Sequence, residues 1–147
     1  MTHRKVSLFL IAIGLLITSY LSYLKLAGQT SVCLSGGMIN CEAVLNSRYS
    51  EISLLDASIP IAYLGWLVYA ILLLLWFWEG AGQTAEMTIA FYFGLNAFAW
   101  LYSMYLVYLQ FFVLRAACPW CLSHEANITL LFGFTLLRTR QYLTASV

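Results

Sequence analysis

Three stretches of this chain, Val6 to Leu24, Ala57 to Trp78 and Met87 to Leu114, run on without one charged side chain. A fourth, Ala116 to Leu137, is interrupted only by His124 and Glu125. At about 1.5 Å of rise per residue, helices of these lengths match a hydrocarbon core about 30 Å thick. Lipid offers backbone N–H and C=O groups no partner, so apolar runs of this kind must satisfy themselves as helices. Composition agrees: 9% of the 147 residues are charged, against about 25% in soluble domains. The expectation is an all-α membrane protein, a four-transmembrane-helix bundle forming a single integral membrane domain over residues 1–147. Its helices are placed at about 6–24, 57–78, 87–114 and 116–137, with a long cysteine loop at 25–56 after the first.

Local signals refine the spans. His3, Arg4 and Lys5 precede the first run. A cleaved signal peptide is the rival reading there, but the run exceeds a usual h-region and no A-x-A-like site follows, so helix 1 is expected to stay. The second run opens with Ser58 as a cap and Pro60 in the first turn. Glu79 to Glu86, with Gly80 and Gly82, reads as a short turn. The third run, at 28 residues, is longer than the bilayer requires and should tilt or project. Phe98, Tyr102, Tyr105 and Phe112 fall near one of its faces, which suits either a flat ring ligand or interhelix packing.

Four spans put both termini on one side. Arg4, Lys5, Arg138 and Arg140 then oppose Lys25, Arg48 and Arg115, which places the termini in the cytoplasm. The long loop and the start of the fourth run share the extracytoplasmic face, where disulfides persist. A net charge of +1 with no basic patch leaves no electrostatic case for nucleic acid.

The four cysteines occupy two places only, Cys33 with Cys41 and Cys118 with Cys121. Cys118-Pro119-Trp120-Cys121 opens the fourth run. A cysteine at a helix N-terminus lies in the positive end of the macrodipole, which favours the thiolate, and Pro119 suits a first turn that needs no N–H. Two cysteines at this spacing can form and break a disulfide with little backbone movement. Structural disulfides and buried inert thiols are the plainer alternatives. A four-cysteine zinc site is disfavoured because Cys33-x7-Cys41 lacks the close spacing of such ligands. Gly36 and Gly37, between the loop cysteines, serve as a hinge or as turn residues. Asn40 is a candidate cap for a short half-helix along the membrane surface with Cys41, Val44, Leu45 and Arg48 on one face, and an irregular loop is the alternative.

Two thiol pairs on one face can pass a disulfide between them, which requires a terminal electron acceptor. A quinone diffusing in the bilayer meets this need, whereas the chain has no GxGxxG and no P-loop for a soluble cofactor. An acceptor for a partner near about −120 mV must be still more oxidising, beyond the glutathione poise. His124 and Glu125 follow Cys121 by three and four residues. Either they deliver protons to the quinone, or they cap polar surface at the water boundary.

With these residues assembled, the chain resembles a small bacterial member of the vitamin K epoxide reductase family. The resemblance rests on four spans, the paired-cysteine loop after the first, the CxxC opening the fourth, and Ser47-Arg48-Tyr49 following Cys41. It implies that Cys33 and Cys41 are a shuttle pair and Cys118 and Cys121 the active-site pair. A reduced thioredoxin-fold partner would attack the Cys33–Cys41 disulfide, Cys41 would exchange with Cys118, and Cys121 would reduce the quinone. It also implies that Ser47 lies near the quinone and that Val44, Leu45 and Tyr49 line its pocket. The acceptor would be menaquinone, ubiquinone or phylloquinone, and the setting a bacterial inner membrane. Vertebrate members carry Thr-Tyr-Ala just after the CxxC, where this chain has Ser123, His124 and Glu125, so antagonist binding and epoxide reduction are not expected to carry over. Many bacterial members have a fused thioredoxin-like domain. Here the chain ends at Val147, and the partner is expected to act in trans. A DsbB-type oxidase would place the CxxC in the first outer loop, the reverse order. A non-enzymatic scaffold or channel subunit stapled by disulfides is the reading from another class.

Overall fold

The computed structural model describes residues 2–28, 37–54, 57–78 and 85–145. Four long helices make up most of it: α1 (Thr2–Ala27), α3 (Ile61–Trp78), α4 (Ala85–Tyr108) and α5 (Pro119–Ala145). A short α2 (Cys41–Leu45) and a hairpin of β1 (Glu51–Leu54) and β2 (Ala57–Pro60) lie between α1 and α3. α1 packs on α3 and α5, and α4 packs on the same two helices, so each long helix has two long neighbours.

Among the described residues, three helical stretches are long and apolar enough to cross a membrane: Arg4–Ala27, Ile61–Trp78 and Met87–Val113. α5, which carries Ser123, His124, Glu125 and Asn127 near its start and Arg138 and Arg140 near its end, is not one of them. Large apolar side chains cover much of the outside, and polar ones are buried beside an apolar core. Leu16, Leu74, Phe91 and Leu101 point outward, while Ser7, Thr18, Asn96, Asn127 and Thr135 are buried. Lipid-facing helices have no reason to hide leucine, and they gain by burying hydrogen-bonding groups against one another. Asn96 Nδ2 accordingly donates to Thr135 Oγ1 at 2.7 Å between α4 and α5.

α1 and α3 run antiparallel. At one end Trp76 Nε1 donates to Arg4 O at 3.1 Å, and the Arg4 guanidinium lies 4.5 Å from the Trp76 ring centroid. Further along, small residues let the two backbones approach, with Gly14 against Tyr69 and Gly65 against Thr18. Tyr69, Ile11, Leu72, Ile128 and Leu131 form the core there. A Cβ added at Gly14 would fall on the Tyr69 ring, whereas one at Gly65 would meet Thr18 Cγ2 at 3.3 Å. Gly14→Ala should therefore destabilise by about 1–3 kcal/mol, the usual result of overpacking, and Gly65→Ala by clearly less. Thermal unfolding in detergent measures both, and equal midpoints for the two variants would contradict this packing.

Several elements depart from the sequence expectation. The chain is not wholly α-helical, because residues 57–60, expected to open the second helix, form β2 opposite β1 with Glu51 facing Pro60 and Ile52 facing Ile59. Proline restrains the residue before it to extended backbone, so Ile59 is held as strand. The helix begins at Ile61 instead, and Ser58 is not its cap. Asn40 does cap a short helix, its side chain accepting Ala43 N–H at 3.0 Å, but that helix stops at Leu45. Cys41 and Val44 are buried, whereas Arg48 is exposed beyond the helix end and shares no face with them. The fourth long helix starts at Pro119 rather than 116, and it continues past Arg138 and Arg140 to Ala145. The segment 116–118 is drawn out because Ala117 bridges to Ile39. Cys33, Gly36 and residues 79–84 of the turn expected from Glu79 to Glu86 lie outside the described residues, and Ala85 and Glu86, the end of that expected turn, already belong to α4.

Candidate functional site

The CxxC sits at the start of α5. Pro119 takes the first helical position, where its missing N–H would have no intrahelical partner in any case. Cys118 precedes it, fully buried, and its carbonyl accepts the Leu122 N–H at 2.9 Å. The Cys121 N–H donates to Cys118 Sγ at 3.4 Å. A sulfur just ahead of a helix N-terminus and facing free amides is placed where a thiolate is stabilised. Both cysteines are free thiols. Trp120 is exposed and lies against Tyr20 of α1, ring centroids 4.7 Å apart.

The segment before Cys118 is anchored on two sides. α4 runs into a π-helical turn, Leu109–Val113, and Arg115 then adopts a φ of 49°. Ala116 N–H donates to Gln110 O at 3.0 Å, and Cys118 N–H donates to Gln110 Oε1 at 3.2 Å. Ala117 N–H donates to Met38 O at 2.8 Å, and Asn40 N–H returns to Ala117 O at 3.1 Å. These bonds bring the residue before Cys41 beside the residue before Cys118. Cys41, which is disulfide-bonded, forms one buried cluster with Val44, Ala116 and Cys118.

Behind this cluster lies a cavity of about 360 Å³ enclosed by α1, α3, α4 and α5 and roofed by α2 and the residues after it. Such a volume falls within the usual range for a small-molecule pocket. Val44, Leu45, Ser47 and Tyr49 line its upper part, and Cys121, His124, Glu125 and Ile128 line the α5 wall. Those four α5 residues follow the i, i+3, i+4, i+7 spacing of one helix face. Phe98 and Tyr102 of the aromatic stripe reach the cavity, with rings 6.5 Å apart and stacked. Tyr105 and Phe112 do not line it and are exposed.

The CxxC is thus divided between two surroundings. Cys118 is buried in the cluster with Cys41 and does not border the cavity, whereas Cys121 packs on the edge of that cluster and also opens on the cavity. Below Cys121, Glu125 is buried, with Oε1 at 3.5 Å from His124 Nδ1 and Oε2 without a hydrogen-bond partner among the described residues. His124 meets the Tyr69 ring edge-on at 5.7 Å, and the Tyr69 hydroxyl accepts Asn127 Nδ2 at 3.0 Å. Neither Tyr69 nor Asn127 was foreseen from the sequence. Nor was Gln110, although an amide near the end of an apolar run just ahead of a CxxC was a usable signal.

The roof is tied down by Lys25. Its Nζ donates to Leu45 O at 2.8 Å and lies 2.8 Å from Glu51 Oε1. Ser47 Oγ donates to Val44 O at 2.9 Å, and Ser50 Oγ bonds to Leu45 O and Ser47 O at 2.7 Å each. The hydrogen bond from Lys25, then that from Ser58, then the Lys25 charge hold the Glu51 carboxyl below its ordinary value. A depressed carboxylate contributes stability in full above the ordinary glutamate value of about 4.3, and loses it as pH falls through the lowered one. Hydrogen exchange of the amides from Leu45 to Ile52, taken relative to the intrinsic rate at each pH, should therefore speed up on acidification below that value. Lys25→Met should show the fast exchange already at neutral pH and no acid step, and an acid step surviving in that variant would refute the tie.

Residues 5–136 match the family model described as the vitamin K epoxide reductase family. That match runs from the start of α1 into the last turns of α5 and takes in all four cysteines, so the chain belongs to the vitamin K epoxide reductase family.

Proposed function

We propose that this protein is a quinone-dependent thiol oxidoreductase of a bacterial inner membrane that takes electrons from a reduced thioredoxin-fold partner outside the cytoplasm. The observation that carries the proposal is the division of the CxxC, with Cys118 against Cys41 and Cys121 in the cavity wall. One thiol is placed to receive electrons and the other to hand them on. The family supports a membrane thiol oxidoreductase of this kind. The cysteine states support a relay over a static staple, since Cys41 is disulfide-bonded while Cys118 and Cys121 are free thiols.

The route begins at the Cys33–Cys41 pair, which accepts the partner's electrons by thiol–disulfide exchange. Cys41 exchanges with Cys118, and the Cys118/Cys121 dithiol then holds the electron pair beside the cavity. The cavity fits a quinone: its walls are largely apolar, aromatic rings of Phe98 and Tyr102 face it, and the unpaired Glu125 oxygen calls for a polar ligand atom. A quinone bound there supplies an acceptor for two electrons and two protons. Val44, Leu45 and Tyr49 shape the upper cavity and exclude water, and Ser47 offers it a hydroxyl. His124 and Glu125 stand one turn below Cys121 and hold the proton source. Lipid-facing α1, α3, α4 and α5 keep the cavity within reach of a membrane-dissolved quinone. The charge bias of Arg4, Lys5, Arg138 and Arg140 at the opposite end favours a cytoplasmic location for the termini.

The test is the absorbance of menaquinone or ubiquinone after a reduced thioredoxin-fold protein is added to the purified chain in detergent. Oxidised quinone should disappear with the native protein. No change with either quinone, in protein that keeps its fold, would remove the proposal.

A further inference from the structure

The main chain that delivers Cys118 is held by a side chain that carries no electrons itself, although it borders the cavity. Gln110 lies inside the π-helical turn that ends α4, and only 4% of its surface is exposed. A π-turn followed by a left-handed, non-glycine Arg115 is unfavourable locally and persists where surrounding contacts over-determine it. Gln110 supplies two of those contacts, its carbonyl taking the Ala116 N–H and its Oε1 the Cys118 N–H. The intervening residue, Ala117, bonds the other way, to Met38 and Asn40. Alternate residues of this extended segment are therefore divided between Gln110 and the cysteine loop.

In extended chain a slip of one residue exchanges the two sides. Here it would turn Ala117 toward Gln110 and take Cys118 out of its cluster with Cys41. Without the Gln110 side chain, the Cys118 N–H would be a buried donor with no acceptor, and the segment would gain by shifting. We propose that Gln110 is a positioning residue that sets the register of residues 116–118 against 38–40, and thereby presents the Cys118 sulfur to Cys41.

This inference rests on the relay reading. In the step served, the Cys41 thiolate attacks Cys118 of the Cys118–Cys121 disulfide. The Cys41–Cys118 bond forms, the Cys118–Cys121 bond breaks, and Cys121 leaves as a thiolate. The Cys33 thiolate then attacks Cys41 and Cys118 leaves, so that the loop pair is oxidised by two electrons and the CxxC reduced by two. Register matters because the attacking sulfur must line up with the bond it breaks.

The test reads the same sulfur-to-sulfur alignment in the opposite direction and without any quinone: in Cys121→Ala protein the Cys118 thiolate attacks Cys41 of the Cys33–Cys41 disulfide, Cys33 leaves as a thiolate, and the rate at which the Cys41–Cys118 bond forms is measured. Gln110→Met, similar in size but without an acceptor oxygen, should slow it by about 10-fold. Gln110→Asn, too short to reach, should slow it similarly. Gln110→Glu keeps an acceptor at the same reach and should restore most of the rate. A merely structural role predicts equal slowing in Gln110→Met and Gln110→Glu, and that result would overturn the inference, as would an unchanged rate in Gln110→Met and Gln110→Asn. Absence of the Cys41–Cys118 bond when Gln110 is native would instead overturn the relay itself.

Discussion

Cys121→Ala should abolish quinone reduction and trap a covalent bond between Cys41 and Cys118. In the native chain, Cys118 attacking Cys41 is reversible, because Cys121 stands one turn away and can displace Cys41 again. Removing Cys121 leaves only the return attack of Cys33 on Cys41 to break that mixed disulfide, so it builds up, while the electron pair has no sulfur beside the cavity from which to leave. Loss of a thiol that acts as one of a unit costs far more than a single contact, and a fall of at least about 10³-fold is expected. Non-reducing electrophoresis after thiol alkylation detects the trapped species, and quinone absorbance measures the rate. The buried cluster of Cys41 with Cys118 makes the identity of the trapped pair specific. A trapped species containing Cys33 in place of Cys41, or no trapped species under any redox condition, would break the assignment.

The second large effect is expected at Glu125. A buried carboxyl with one oxygen lacking a hydrogen-bond partner among the described residues is costly to keep unless a ligand completes it. Glu125 lines the same cavity as Cys121, one helical turn deeper, with His124 Nδ1 beside its other oxygen. Delivery of a proton by a positioned side chain contributes typically about 10²–10⁴-fold. Glu125→Gln keeps the shape and can still donate a hydrogen bond, but it cannot release a proton. Quinone reduction should fall by about 10²-fold, while the Cys41–Cys118 exchange trapped in Cys121→Ala protein proceeds at its native rate. His124→Gln should give a smaller loss, since it acts through Glu125. Unchanged quinone reduction in Glu125→Gln from about pH 6 to 9 would remove the carboxyl from proton delivery. An equal loss in the exchange step would assign Glu125 to packing instead.

Much of the site was legible because its markers are local. The CxxC at a helix start, Asn40 as the cap before Cys41, and the spacing of Cys121, His124 and Glu125 each depend on residues within a turn or two. Misreadings occurred where a distant partner overrode local pattern. Residues 57–60 look like the start of an apolar helix, yet β1 claims them as a strand. Residues 116–118 continue an apolar run, yet Ile39 draws Ala117 into a bridge. Arg48 has the periodicity of an α2 residue, but the turn built by Ser47 and Ser50 ends the helix before it. Tyr69 and Asn127 look like ordinary members of apolar runs, and only their mutual hydrogen bond across α3 and α5 marks them.

By itself, the sequence determined the apolar segments and the paired cysteines, because run length, charge distribution and cysteine spacing are properties of neighbouring residues. Tertiary structure alone decided that Cys118 is buried against Cys41 while Cys121, of the two, borders the cavity, and that Gln110 and Lys25 hold the pieces in place. Those choices are set by contacts between segments far apart in the chain, and no local pattern of residues encodes which of two neighbouring thiols will meet which of two surfaces.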